Sequence, residues 1–150
     1  MSRLYPVRPV TVSTSVPAGP DEIFAYVADT RNDPEWCPNV TDARLVEGNG
    51  VEPGARFEFH QRVEAQGRKL TSDVRVEIVE LGERHIRWRV EDRFQVRDVV
   101  LEVQPDAVGS NVTQTTSAAF KRKPGLARWL YPMLARRTFK EQFRHLSDRF

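Results

Sequence analysis

Roughly eighty residues of this chain, 40–120, alternate between apolar and polar side chains, and this alternation constrains the fold more than any other feature. In one segment Phe57, Phe59 and Gln61 share a face, while Glu58 and His60 lie between them on the other face. A period of two predicts strands with one buried face. Turns that contain glycine or proline, at 48–50, 53–54, 66–68 and 105–110, separate these segments. We therefore predict an antiparallel meander of hairpins.

Helical segments are predicted on both sides of this meander. A first strand at 10–16 leads through a proline-marked corner into a short helix at 21–29, and a second short helical segment follows it. Residues from Lys123 onward are predicted to form a long helix. Each apolar face must be covered by another layer. The predicted fold class is therefore α+β, a curved antiparallel sheet of about seven strands wrapped round a long C-terminal helix.

The C-terminal helix has a stripe of residues spaced three and four apart. Such a spacing places side chains on one helix face, which we expect to pack against the sheet. Pro132 lies inside the pattern, so a kink or a break is expected there. The stripe consists of Trp129, Pro132, Arg136, Phe139, Phe143, Leu146 and Phe150.

Length and composition limit the class of protein. We expect one domain over residues 1–150, with an N-terminal extension over about residues 1–9. The expected location is cytoplasmic, because we find neither an apolar run of transmembrane length nor a signal-type start. A single cysteine, Cys37, excludes an internal disulfide, and we interpret it as a small buried hydrophobe. The three histidines are far apart, so we expect no metal and no cofactor.

Charge is unevenly distributed along the chain. Residues 121–150 carry nine Lys and Arg against two acids, whereas residues 1–120 carry fourteen against nineteen. A basic helix suits anionic lipid, nucleic acid or an acidic partner. The interpretation that we favour is a solvated basic face, and no nucleic-acid partner is expected.

Five segments carry a family resemblance: residues 16–24, 36–38, 51–57, 109–113 and 143–146. They resemble the START-like (SRPBCC) superfamily, which includes the polyketide cyclase/dehydrase and lipid-transport family. The resemblance extends from Val10 to Leu146 and implies a helix-grip fold of the START and Bet v 1 type. It also implies an internal apolar cavity, so the expected partner is a small hydrophobic ligand.

The inward positions of the strands and helices give the expected lining of such a cavity. Most are apolar, with a few polar groups to orient a ligand, which is typical of a small-molecule site. Asp92 could act as a base if it were buried, but we expect it to be exposed near a strand end. The candidates are Phe24, Val27, Trp36, Phe57, Phe59, Gln61, Ser72, Val74, Val76, Trp88, Leu101, Gln114, Thr116, Met133, Arg136 and Phe139.

Arg136 has two interpretations. Its stem can pack while the guanidinium escapes to solvent, or the guanidinium can enter the cavity and pair with a ligand carboxylate or enolate. The apolar residues around the first turns of the helix (Leu126, Leu130, Met133 and Leu134) need a second cover. A lid over the cavity mouth is favoured, with a homodimer contact and weak peripheral membrane contact as alternatives.

Two classes of function stay open. We find no nucleophile elbow, phosphate loop or dinucleotide motif, and the arginines of the predicted sheet are expected on outward faces. The favoured function is binding or carriage of an aromatic, polyketide-like or lipid ligand. The alternative, which the resemblance implies, is a polyketide cyclase, dehydratase or aromatase acting in the same cavity. A buried Arg136, Asp92 or Tyr26 directed at one spot would favour the enzyme.

Overall fold

The alternating segments form one eight-stranded antiparallel sheet in the computed structural model, which describes residues 3–65 and 67–150. The strands are β1 (Tyr5–Pro6), β2 (Val10–Val16), β3 (Val40–Glu47), β4 (Arg56–Ala65), β5 (Arg68–Leu81), β6 (His85–Glu91), β7 (Gln95–Pro105) and β8 (Ser110–Phe120). Strands β3 to β8 pair in sequence order, which confirms the meander, and β2 joins the other side of β8. The turn predicted at 66–68 includes Gln66, which lies outside the described residues.

Two short helices precede the meander and one long helix follows it. They are α1 (Pro20–Val27), α2 (Asp33–Trp36) and α3 (Ala127–Arg149), with a 3₁₀ turn at Thr30–Asn32. Proline and two acids in the first turn of α1 favour its N-terminus. The predicted helix-grip fold is confirmed, and the core lies between the sheet and the helices.

The turn between β7 and β8 holds the corner between β2 and α1. Ser110 Oγ donates a hydrogen bond of 2.6 Å to the carbonyl of Ala18. A Cβ at Gly109 would lie only 2.7 Å from the backbone of Ala18, so any larger residue would push the two segments apart.

The buried stripe of α3 matches the predicted one at Phe139, Phe143 and Leu146 and differs from it nearer the start of the helix. Its buried side chains are Ala135, Phe139, Phe143 and Leu146, whereas Trp129 is 77% exposed. The helix also continues through Pro132, so the predicted break is wrong. Because Pro132 is the sixth residue of α3, its missing N–H removes one backbone bond near the helix start. None of the helices within the described ranges is long and apolar enough to cross a membrane.

The end of α3 is fastened to the first elements of the chain. Ser147 Oγ donates to the carbonyl of Ser15 on β2 at 3.2 Å. Arg149 forms an ion pair of 3.0 Å with Glu35, and the ring of Phe150 meets that of Tyr26 edge-on at 5.2 Å. The C-terminus therefore closes the helix layer over the sheet.

Candidate functional site

An internal cavity of about 100 Å³ lies between the sheet, the α1–α2 corner and α3. An apolar cavity of about 150 Å³ is large enough to bind benzene in another protein. At about 100 Å³ the cavity of this chain is smaller, so it holds a few water molecules as it stands, and one small ring requires a modest outward shift of its wall. Larger ligands require one of its walls to move.

Ten of the sixteen candidate residues line this cavity. They come from α1, α2, α3 and five strands, because the curvature of the sheet brings the inward positions of β4 to β8 together. They are Val27, Trp36, Phe59, Gln61, Val76, Trp88, Leu101, Gln114, Thr116 and Phe139.

Four candidates are buried but lie outside the cavity wall: Phe24, Phe57, Ser72 and Val74. Alternation locates the core, and only part of the core borders the cavity, so an inward position is not sufficient for lining. The hydroxyl of Ser72 has no hydrogen-bond partner within the described part of the chain.

The two candidates from the first half of α3 point away from the cavity. Met133 is 60% exposed. Arg136 is exposed and donates to the carbonyl of Thr11 at 3.0 Å, so the guanidinium satisfies a strand backbone instead of entering the cavity. In the first half of α3 the buried position is Ala135 instead of Arg136, and Met133 lies on the opposite, exposed side of the helix, so both side chains are outside the site.

The other proposed acid–base groups are held elsewhere. Asp92 is buried, contrary to expectation, but its Oδ1 accepts the backbone N–H groups of Phe94 and Gln95 at 2.7 and 2.9 Å. Tyr26 donates to Glu35 at 2.7 Å, and it is absent from the cavity wall. Neither group is free to act on a ligand.

One arginine of the sheet lines the cavity, which overturns the expectation that all of them face outward. Arg97 lies on β7 between Val90 of β6 and Ala118 of β8. Its Nε is buried and has no hydrogen-bond partner among the residues described. Arg97 lies two residues before Val99 on β7, so the two side chains are on the same face of the sheet. This spacing could have identified Arg97 from the sequence.

Asp33 is a second group that the sequence prediction missed. As the first residue of α2 it borders the cavity, where burial, and then the nearby carboxylate of Asp29, raise the pKa of its carboxyl well above the usual range. Burial, followed by the charge of Asp33, also raises the pKa of the Cys37 thiol, so this thiol stays protonated and unreactive.

Two further unpartnered groups in the wall are indole N–H donors. Trp36 and Trp88 are 5% and 8% exposed, and neither Nε1 has a partner in the described ranges. The ring of Trp36 lies 6.2 Å from that of Phe143 on α3, which fixes its position. The wall of the cavity is therefore mostly apolar, but it includes N–H donors that have no hydrogen-bond partner in the described residues.

A second concave region, on the outer face, is lined mainly by charged groups that pair with each other. Arg44 pairs with Glu58 at 3.0 Å, and His60 with Asp73 at 2.7 Å. No group of three or more His, Cys, Asp or Glu residues able to hold a metal occurs in the described residues. The internal cavity is therefore the candidate site.

Comparison with known proteins agrees with this fold. Residues 8–150 match the sequence profile of the family described as polyketide cyclase / dehydrase and lipid transport. The protein TTHA0849 from Thermus thermophilus is 19% identical with a TM-score of 0.72 over 95% of this chain and 96% of its own. A START superfamily protein from Mycobacterium smegmatis is 15% identical with a TM-score of 0.71, covering 94% and 95%.

The protein Ara h 8.0201 is 17% identical with a TM-score of 0.64, covering 93% of this chain and 97% of its own. Such low identities establish the fold and leave the ligand open. A comparison with curated proteins finds no significant match.

Proposed function

The chain belongs to the polyketide cyclase/dehydrase and lipid-transport family, and we propose that it binds a small, largely hydrophobic ligand in its internal cavity as a binding or carrier protein. The observation that carries this proposal is the cavity itself, whose wall is mostly apolar with a few polar groups. This combination is typical of small-molecule sites. The family description supports the same class of ligand.

The cavity volume limits the ligand. Sites for drug-sized molecules typically measure about 300–1,000 Å³, against about 100 Å³ here. A ligand of one ring requires the smallest change of this shape. A lipid or a multi-ring polyketide would require α3 or the α1–α2 corner to move outward.

Native mass spectrometry of the freshly purified protein, followed by denaturing extraction, tests the proposal. We expect a co-purifying hydrophobic compound, or binding of added benzyl alcohol. Val76→Phe should abolish either signal, because Val76 lines the cavity and the larger ring fills it. Val79→Phe is the matched control on the same strand, since Val79 is 41% exposed. An empty wild-type protein that also fails to bind benzyl alcohol would contradict the proposal.

Asp33 favours a second candidate function, catalysis of a cyclase or dehydratase type. Its raised pKa lets the carboxyl hold a proton at pH values where an exposed aspartate has lost it. Such a group can protonate a carbonyl of a bound ligand. Incubation of the extracted ligand with fresh protein tests this function by mass spectrometry. Turnover lost in Asp33→Asn, with binding retained, supports catalysis, and an unchanged ligand supports the carrier.

A further inference from the structure

We propose that the ligand has an anionic oxygen group, a carboxylate or enolate, on its apolar body, and that Arg97 binds this group. The inference rests on the proposed binding function and adds the chemical class of the ligand. It begins from the buried donors of the cavity wall that have no partner in the described residues, which are the Nε–H of Arg97 and the N–H groups of two indoles.

Arg97 differs from the arginines on the outer face. Arg87 pairs with Asp98 at 2.7 Å and Arg44 pairs with Glu58 at 3.0 Å, whereas no carboxylate of the described residues lies within 4 Å of Arg97. Asp92 and Arg97 both lie near enough to Tyr131 of α3 to affect the pKa of its hydroxyl. The carboxylate of Asp92 accepts hydrogen bonds from two backbone N–H groups and forms no ion pair with Arg97. A guanidinium stays charged, and no carboxylate of the described residues is paired with this one, so an anionic oxygen of a ligand can pair with it.

The two indoles indicate the same ligand chemistry. Trp36 and Trp88 each contribute a buried, unpartnered N–H donor to the cavity wall, and a ligand without oxygen would leave both donors unpaired. A planar oxyanion matches the fork of a guanidinium, and its remaining lone pairs can accept from an indole. A pure hydrocarbon is therefore the wrong ligand for this cavity.

Benzoate and benzamide test the inference, because they have nearly the same shape and differ in charge. The chain has three tryptophans, so a ¹⁵N-correlation spectrum reports three indole N–H signals. Benzoate should shift the signals of Trp36 and Trp88 and leave that of exposed Trp129 in place. Benzoate should also bind at least about tenfold more tightly than benzamide, since hydrogen bonds to charged groups are the stronger ones.

Variants assign this preference to one residue. Arg97→Met should remove the roughly tenfold advantage of benzoate and leave benzamide binding unchanged. Arg97→Lys, which keeps the charge without the planar fork, should retain part of the advantage and serves if the Met variant does not fold. Arg89→Met is the control, because Arg89 is exposed on the outer face of the neighbouring strand.

The outcomes separate the two proposals. Equal binding of benzoate and benzamide by the wild-type protein overturns the anionic ligand and leaves the binding function standing. A charge preference that survives in Arg97→Met overturns the role of Arg97. Shifts of neither indole signal with either probe, together with an empty cavity by mass spectrometry, overturn both proposals.

A different observation supports a second inference, about the outer face of α3. Five large apolar side chains there form an exposed cluster, which we call the outer patch. They lie on the side of the helix opposite its buried stripe. The patch consists of Leu126 (79% exposed), Trp129 (77%), Leu130 (48%), Met133 (60%) and Leu134 (51%).

Basic residues flank the outer patch on both sides along the chain. Residues 121–123 are Lys-Arg-Lys, and Arg136, Arg137 and Lys140 follow the patch, with no acid between 121 and 140. Tryptophan and leucine bordered by lysine and arginine match the boundary between lipid headgroups and acyl chains. We infer that the outer patch docks on an anionic lipid bilayer.

Co-sedimentation with vesicles tests this docking. We expect binding to vesicles of phosphatidylcholine and phosphatidylglycerol at about 3:1, weakened by about 0.5 M NaCl, and about tenfold weaker binding to phosphatidylcholine alone. Trp129→Ser should weaken binding about tenfold, whereas Val108→Ser should not, because Val108 is 62% exposed at the distant β7–β8 turn. No binding to the anionic vesicles overturns the inference. A dimer in sedimentation analysis that Trp129→Ser dissociates, without vesicle binding, assigns the patch to a second copy instead.

Discussion

Within the part of the chain that the structure describes, charged side chains are paired on the outer face of the sheet and lack a partner on the inner face. The adjacent residues Arg97 and Asp98 of β7 show this difference. Asp98 faces solvent and pairs with Arg87 at 2.7 Å, while Arg97 faces the cavity and has no partner in the described residues. Exposed ion pairs contribute little to stability each. A buried donor without a partner costs stability. The charges of the outer face are thus paired with little effect on stability. The inner face gives up stability at a site suited to a ligand.

The largest contrast between the faces should come from apolar packing. Phe57 is fully buried, so Phe57→Ala should lower the free energy of unfolding by about 3–5 kcal/mol. The neighbouring Arg56 faces outward and pairs with Glu77 at 3.2 Å, so Arg56→Ala should cost less than about 1 kcal/mol. Urea unfolding followed by circular dichroism measures both. Equal losses would show that the inner face is not the core.

The second contrast is in pH dependence. The raised pKa of Asp33 means that its neutral form is favoured in the folded state. Its contribution to stability is therefore complete below a pH of about 4 and is lost as the pH rises through the folded-state pKa. Asp33→Asn should become increasingly more stable than the wild type as the pH rises from about 4 to about 8. A constant difference across this range would contradict the prediction.

Asp106, on the outer side, should change stability with pH in the opposite direction. The hydrogen bond from Ser15, and then the backbone N–H groups of Gly109 and Val108, lower the pKa of Asp106. Its stabilisation is present above a pH of about 4 and is lost as the pH falls through the folded-state pKa. Asp106→Asn should therefore be less stable than the wild type at about pH 7, and the difference should vanish in acid. Chemical unfolding curves at several pH values measure both slopes.

The smallest expected difference is between two arginine variants whose stabilities should change in opposite directions. Removing the inward Arg97 as Arg97→Met should raise the free energy of unfolding by about 1 kcal/mol, because a buried, unpaired donor disappears. Removing the outward Arg87 as Arg87→Met should lower it slightly, because an ion pair is lost. Thermal unfolding without ligand compares the two. A destabilised Arg97→Met would mean that Arg97 has a partner within the protein.

The sequence predicted the sheet well because alternation is a local signal. Inward positions such as Phe59, Val76 and Trp88 needed only the period of two and the turns between strands. Arg97 was missed because the strand was read from Val99 onward, two residues too late to include a charged inward position. The location of Asp33 depends on how the corner before β3 packs, which no local pattern encodes.

The prediction for the first half of α3 failed for a different reason. The spacing of three and four residues led the predicted stripe through Arg136, whereas the buried residue at this level of the helix is Ala135. One residue rotates a helix by about 100°, so this choice placed the predicted contact of the first half on the wrong face, while Phe139, Phe143 and Leu146 were predicted correctly. Apolar residues are not always inside, and the outer patch is an example of large ones that remain exposed.

The fastening of the C-terminus to the first elements has a consequence for how the protein acquires its cavity. Phe150 meets Tyr26, and Arg149 meets Glu35, so contacts between residues far apart in the chain hold α3, which contributes Phe139 to the cavity wall, against the α1–α2 corner. Long-range contacts of this kind form slowly, since the intervening chain must first be ordered. During synthesis the apolar lining stays uncovered until α3 has been made. Chaperone demand and sensitivity to C-terminal truncation are therefore expected to concentrate in this final step.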